Sequence, residues 1–333
     1  MEQRKVRWGI LSTGWIAEQF VKDLAHVSNG ECVAVGSRTK ESASAFAQKH
    51  GIPRAYGSYE ELAQDPDVDV IYIGTPHPYH KENTLTCLRA GKAVLCEKPF
   101  TINSGELQEM ADLAREKGLF LMEAMWTRFL PPIRKVREWI AEGRIGDVKL
   151  VRAEFGFKTD WNPQHRLLDL KLGGGALLDA GIYPVSFASM VLGPSPEQVH
   201  STAHIGETGV DEHFSILLDY GGGKSALLSG AVRVDMPNEA IIYGSEGYIR
   251  IPSFLNSKEA VLYVNGEEAE KFEDNRESLG YNFEAEAVGE YLLAGKQDSS
   301  VISLDESLKL MQLLDQIRGQ WGIKYPGESF LTS

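Results

Sequence analysis

The chain has 333 residues, with 34 Lys and Arg against 47 Asp and Glu, a formal net charge of −13. At ~150 residues per domain this length predicts two domains with full hydrophobic cores, and 43% hydrophobic with 24% charged residues excludes wholesale disorder. The acidic balance excludes nucleic acid and an anionic membrane as partners, because neutralising many phosphates needs a basic face; one phosphorylated cofactor in a local pocket remains compatible.

The opening Met-Glu-Gln-Arg-Lys-Val-Arg-Trp lacks the apolar stretch of a secretory signal, and no run approaches the ~18 apolar residues of a membrane span. Three cysteines, Cys32, Cys87 and Cys96, without Cys-x-x-Cys spacing, encode neither a disulfide framework nor a zinc site. These features predict a soluble, cytoplasmic protein with reduced, inert thiols and no metal.

The first third alternates strand and helix. Residues 5–11 form an apolar-rich strand, after which Ile16, Phe20, Leu24 and Val27 share one helical face. A second strand over 32–36 precedes an alanine-rich helix near 41–50. Ser58 with Glu61 is a capping box that opens a helix around 59–64. The unbroken run Val68–Ile73 suits a parallel strand covered on both faces. A helix near 79–91, a strand over 93–96, a second capping box (Asn103, Glu106) with a helix ending at Gly118, and a strand over 119–122 follow. This order predicts a doubly wound parallel sheet.

Beyond residue 130 the rhythm changes. A helix over 132–142 with Ile133, Val136 and Ile140 on one face gives way to strands at 147–157, 197–206, 210–220, 224–235, 239–244, 247–252 and 259–264. Gly221-Gly222-Gly223 joins two of them as a hairpin. Helices near 181–192, 281–294 and 304–320 complete the chain. The fold class is therefore α/β: a doubly wound parallel-sheet domain over 1–125, and an α+β domain with a broad, mostly antiparallel sheet over 126–333.

The chemical signals cluster at strand ends. In Gly9-Ile-Leu-Ser12-Thr13-Gly14-Trp15-Ile16-Ala17 the dinucleotide fingerprint G-x-G-x-x-G/A falls on Ser12, Gly14 and Ala17. Gly14 lets the backbone approach a pyrophosphate, Ala17 permits close helix–sheet packing, and the helix N-terminus supplies amide donors. Ser12 departs from the pattern at the tight turn. At the end of the second strand, where an NAD enzyme commonly carries Asp or Glu, this chain has Ser37 and Arg38, which favours NADP, with NAD as the alternative. Thr75-Pro76-His77, with His80, follows the third strand, and Glu97-Lys98-Pro99 follows the fourth. An ammonium at Lys98 would sit at the crevice mouth beside the nicotinamide, where desolvation and the nicotinium charge would lower its pKa toward neutrality.

Together with Gly173-Gly-Gly-Ala-Leu-Leu-Asp179-Ala-Gly181-Ile-Tyr183, these segments resemble the glucose–fructose oxidoreductase/inositol dehydrogenase (Gfo/Idh/MocA) family over essentially the whole chain. Ala55–Leu62, Leu121–Phe129 and Gly181–Tyr183 are most similar to the branch of dimeric dihydrodiol dehydrogenases and NADP-dependent D-xylose dehydrogenases. The resemblance implies an N-terminal Rossmann domain, a C-terminal domain with an open sheet, Lys98 as the motif lysine near the nicotinamide, and a dimer, with tetramers also found. Many members carry histidine where this chain has Tyr183. A phenolate at Tyr183, stabilised by a nearby cation, can accept a hydroxyl proton in its place, so Lys98 and Tyr183 both stand as acid/base candidates.

Asp179 either orients the substrate hydroxyl or Lys98, or caps the following helix. Trp126, Phe155, Phe157 and Trp161 stand where a substrate pocket is expected, Phe155 and Phe157 on one side of a strand. They suit a sugar's C–H face or an alicyclic diol, while His165 and Arg166 read as a solvated loop. The predicted activity is hydride transfer between NADP and a secondary alcohol or hemiacetal carbon of a small polyol, an aldose such as a pentose or a vicinal trans-diol. The alternatives are a non-catalytic nucleotide-binding sensor and a sugar–sugar oxidoreductase that retains its cofactor.

Overall fold

In the computed structural model, residues 4–328 are described. They divide into two compact units, Met1–Phe129 with Arg276–Leu308, and Leu130–Asn275 with Lys309–Ser333.

The first unit opens with β1 (Val6–Leu11), α1 (Trp15–Leu24), β2 (Gly30–Gly36), α2 (Lys40–His50), β3 (Arg54–Tyr56), α3 (Tyr59–Ala63), β4 (Val70–Ile73), α4 (His80–Arg89), β5 (Ala93–Glu97), α5 (Ser104–Lys117) and β6 (Leu121–Ala124). The six strands pair in parallel in the order β3-β2-β1-β4-β5-β6, the doubly wound arrangement expected. Every residue of β4, β5 and β6 is buried, as covering of both faces requires. Both capping boxes form. Ser58 Oγ accepts the Glu61 amide while Glu61 Oε2 accepts that of Gly57, and Asn103 with Glu106 does the same for α5. The three-residue β3 went unread because so short a strand carries no periodicity.

The second unit holds α6 (Pro131–Ala141), β7 (Val148–Gly156), a π-helical turn over Leu177–Gly181 that runs into α7 (Ile182–Leu192), and the strands β8 (Gln198–Ile205), β9 (Asp211–Asp219), β10 (Ser225–Ala231), β11 (Glu239–Gly244), β12 (Gly247–Pro252), β13 (Glu259–Val264) and β14 (Glu267–Glu273). The sheet order is β14-β13-β12-β11-β7-β10-β9-β8, antiparallel except where β10 runs parallel to β7. The hairpin β9–β10 turns through Gly221, Gly222 and Gly223, all at positive φ, where a side chain would be strained. β14, Glu-Glu-Ala-Glu-Lys-Phe-Glu, escapes a pattern reading because it is an acidic edge strand with little apolar alternation. α7 packs on β7 and β10, while alternate residues such as Leu217 and Leu227 stay exposed, so one sheet face is open within this unit. Contrary to the expectation from the sequence, Leu170–Leu192 is long and apolar enough to pass for a membrane span, but most of it is buried inside this unit.

Two helices follow, α8 (Tyr281–Leu293) and α9 (Leu304–Trp321). The sequence assigns both to the second domain, yet residues 276–308 belong to the first unit, and α8 packs on α1, β1 and β2. Asp23, at the end of α1, accepts the amides of Leu279, Gly280 and Tyr281 at 2.9, 2.7 and 2.8 Å and so anchors the start of α8. No apolar periodicity could reveal this attachment between residues some 250 positions apart.

Candidate active site

In the first unit the strands run parallel, so the loops after β1, β2, β4 and β5 leave the same sheet edge. Ser12, directly after β1, has φ +114°, a conformation that favours glycine, and so occupies the position where the fingerprint has its first glycine. Its Oγ donates to the carbonyl of Gly74 at 2.8 Å, tying the loop after β1 to that after β4 and offsetting the backbone strain. Gly14 begins α1 with no side chain capping the helix, and a Cβ placed there would meet nothing nearer than Ser12 Oγ at 3.9 Å. An uncapped helix start in open space suits a pyrophosphate. Ala17 is fully buried, as close helix–sheet packing demands. Ile16 is half-buried and Trp15 is 73% exposed.

Thr13 Oγ1 lies 3.3 Å from Ser37 Oγ, which joins the first two loops. Arg38 is exposed and makes no hydrogen bond or ion pair among the described residues, leaving its guanidinium available at the end of β2. The residues present therefore fit a dinucleotide, with hydroxyls and a cation where an NAD enzyme would place a carboxylate.

Thr75 is buried and Pro76 leads into a 3-10 turn over His77–Tyr79. His77 is buried and meets His80 edge-on at 5.8 Å. His80 is fully buried, its Nδ1 2.9 Å from the Pro99 carbonyl and its Nε2 2.7 Å from that of Thr75. Desolvation lowers its pKa. Each ring nitrogen faces a backbone carbonyl, and a neutral ring donates to one of the two, so His80 braces the loops after β4 and β5.

Lys98 is half-buried at the carboxyl end of β5. The preceding Glu97 is buried and holds the turn from below: Tyr72 donates its hydroxyl to Glu97 Oε1 at 2.6 Å, and the Lys98 amide donates to Oε2 at 3.2 Å. Tyr72 is in turn stacked on Phe20, ring centroids 3.8 Å apart. From the other side Glu123, on β6, accepts the Phe100 amide and the Ser307 hydroxyl, and burial pushes its pKa up to about 7. Tyr72, Glu123 and Ser307 were missed in the sequence. A tyrosine within Val-Ile-Tyr-Ile and a glutamate within Leu-Met-Glu-Ala, polar residues inside buried strands, were the available signals.

The second unit carries the other candidates. Asp179 is buried inside the π-helical turn, not at a helix start, and the residue preceding α7 is Gly181, without a side-chain cap. The capping reading of Asp179 therefore fails, because the chain is already helical two residues before it. Its Oδ1 instead accepts a hydrogen bond from Arg166 Nη1 at 2.7 Å, so Arg166 is not a merely solvated loop residue. Tyr183 is buried, its ring edge-on to Phe155 at 5.8 Å, and Phe157 lies 5.6 Å from Phe155. Period-two alternation does place both phenylalanines on one side. Trp161 is 45% exposed beneath the Arg233 guanidinium at 5.6 Å. In the first unit Trp126 is buried and packs on Tyr281 at 4.7 Å. Desolvation raises the thiol pKa of buried Cys87 and Cys96. Among the described residues no cluster of three or more His, Cys, Asp or Glu is arranged to hold a metal.

Residues 6–125 match the model of the GFO/IDH/MocA oxidoreductase family, NAD-binding Rossmann fold, and residues 133–250 match that of the GFO/IDH/MocA C-terminal domain. The chain is 44% identical over 331 residues to trans-1,2-dihydrobenzene-1,2-diol dehydrogenase of Xenopus laevis, covering 96% of this chain and 99% of the relative. It is 42% identical over 333 residues to the Homo sapiens protein of the same name, covering 96% and 98%. Among solved structures, a 3-ketoreductase from Actinomadura kijaniata in complex with NADP and TDP-benzene superposes with TM-score 0.84 at 27% identity, covering 95% of this chain and 98% of the other. An aldose–aldose oxidoreductase from Caulobacter crescentus complexed with glycerol does so with TM-score 0.87 at 25% identity, covering 96% and 98%.

Proposed function

The chain belongs to the Gfo/Idh/MocA oxidoreductase family and is a dehydrogenase, and from that premise we propose that it moves a hydride between NADP and a secondary alcohol or hemiacetal carbon of a small polyol. A trans-dihydrodiol is the first substrate to test, given the relatives' activity, and an aldose such as a pentose is the second. The observation that carries the proposal is the seating of Lys98 at the end of β5, with Glu97 and Tyr72 fixing the turn beneath it.

Bound NADP supplies the acceptor for the hydride. The amides at the start of α1 and the hydroxyls of Thr13 and Ser37 would receive its phosphates and ribose, and Arg38 would pair with the 2′-phosphate. With the cofactor bound to take the hydride, the substrate's hydroxyl proton would pass to Lys98 or to Tyr183 as its C–O bond becomes C=O. Asp179, held by Arg166, orients the hydroxyl. Phe155, Phe157 and Trp161 supply the apolar walls that favour a ring or a C–H face over a carboxylate.

Turnover of Lys98→Met, measured beside NADPH binding, tests this reading. Turnover falls by about a thousandfold while NADPH affinity is kept if Lys98 handles the proton. Equal low activity in both proteins would instead make the chain a nucleotide sensor, and nucleotide that copurifies and recycles between two sugars would make it a sugar–sugar oxidoreductase.

The open sheet face, with Leu217 and Leu227 exposed on adjacent strands, supports a homodimer formed through a second copy of that face. Leu227→Arg then yields a monomer in sedimentation equilibrium; an unchanged mass would exclude this face. Free cysteines and the small-molecule chemistry support a cytoplasmic enzyme.

A further inference from the structure

The first unit holds a buried carboxyl group that the proposed reaction leaves unused. Glu284, on α8, is fully buried, and neither of its carboxyl oxygens has a hydrogen-bonding partner. The charges that bear on it are those of other acids, Glu97 from β5 and Asp23 from α1. Tyr72 of β4 and Tyr281 of α8 face the same cluster as phenols. Asp23 is committed to the amides at the start of α8. The 3-10 turn over Trp126–Phe129 also packs on α8, but its Arg128 directs its guanidinium to Glu306 at 2.8 Å and to the Val301 carbonyl.

An ionised carboxylate without hydrogen bonds, out of water and beside two other acids, costs several kcal/mol, a cost the group avoids by keeping its proton. Burial and the neighbouring Glu97 and Asp23 accordingly raise its pKa well above the usual carboxyl range. Glu97 has a different task. It accepts from the Tyr72 hydroxyl and from the Lys98 amide, and those two bonds fix the turn. A second negative charge at Glu284 would push Glu97 away from both donors.

We propose that Glu284 is a positioning residue for Lys98: held as a neutral acid, it lets Glu97 keep the Glu97–Lys98–Pro99 turn in place, and its ionisation at alkaline pH releases that turn. The proposal rests on the reading of Lys98 as the proton-handling residue. It also gives a functional role to residues 276–308, which lie outside both family-model matches.

Two measurements on the full-length protein test it. The infrared difference between wild type and Glu284→Gln near neutral pH should contain a protonated-carboxyl band from the wild type; its absence overturns the neutral state. The pH profile of kcat should show a loss of turnover on the alkaline side in wild type that is missing in Glu284→Gln. Coincident alkaline limbs overturn the positioning role. Glu284→Met serves the same comparisons should the glutamine variant fail to fold. Failure of the parent reading looks different: Lys98→Met would then retain turnover, while the infrared band, which depends on burial of Glu284, would stand.

Discussion

The carboxylate of Asp179, only 8% exposed, accepts a 2.7 Å hydrogen bond from the half-exposed guanidinium of Arg166. A buried acid is thereby held in one orientation by a base whose other side faces water. If Asp179 orients the substrate hydroxyl, Arg166→Met lowers kcat/KM by about tenfold, or about 1.4 kcal/mol of transition-state stabilisation. Because Arg166 is half in solvent, the pair itself is worth at most about 1 kcal/mol of stability, so the melting temperature moves by only a few degrees. Steady-state kinetics beside a thermal melt separates the two effects. Unchanged kcat/KM would remove Asp179 from the reaction.

The proposed preference for NADP rests on Arg38. Its exposed guanidinium stands at the end of β2 beside Ser37, with no acid of its own loop to pair with. Arg38→Ala should weaken NADPH by roughly 1.5–3 kcal/mol, the range of a charge-assisted hydrogen bond, and leave NADH nearly unchanged. Titration of both nucleotides by fluorescence reads this directly. Equal weakening of the two would show that Arg38 contacts something other than the 2′-phosphate.

Local features of the chain were legible because their causes are local. The two capping boxes, the Gly221–Gly223 hairpin and the position of Glu97-Lys98-Pro99 after a buried strand each depend on a few neighbouring residues, and each forms as read. Asp179 was misread as a possible cap because the helix was expected to begin near 181, whereas the chain is already in a helical turn from Leu177. The brace under Lys98 was not legible at all. Tyr72, Glu97, Glu123, Glu284 and Ser307 come from five elements of one unit, and nothing in their spacing announces that they converge. Residues 276–308 illustrate the same limit: they join the first unit through the packing of α8 on α1, β1 and β2 and through the Asp23 carboxylate, tertiary contacts with no sequence period.

That contact makes its own prediction. Asp23 caps three successive amides with one carboxylate while remaining buried. Asp23→Ala leaves those donors without an acceptor and should cost about 2–3 kcal/mol, more than an exposed cap is worth. Asp23→Asn, which keeps one acceptor oxygen, should lose less. Urea denaturation followed by tryptophan fluorescence checks the order of the three proteins, and equal stability of alanine and wild type would show that α8 is held by its packing alone.

The last prediction concerns pH. Burial raises the pKa of Glu123 to about 7, against 4.5 for an exposed glutamate. Between those two values the folded protein holds a proton that the unfolded chain has released, so stability falls as pH rises through the window and levels off above about 7. A shift of this size corresponds to about 3 kcal/mol across the window. Glu123→Gln cannot ionise. Its amide oxygen can still accept the Phe100 amide, and its NH2 can donate to the Ser307 hydroxyl, so the bonds that hold the loop after Pro99 have replacements. The variant should therefore gain stability on wild type as pH rises from about 5 to about 8, with the two proteins nearest each other at the acid end. Denaturation midpoints measured across that range give the difference directly. A constant offset between the two curves would mean that Glu123 is ionised throughout, its charge satisfied by Ser307, Phe100 and the nearby Arg128.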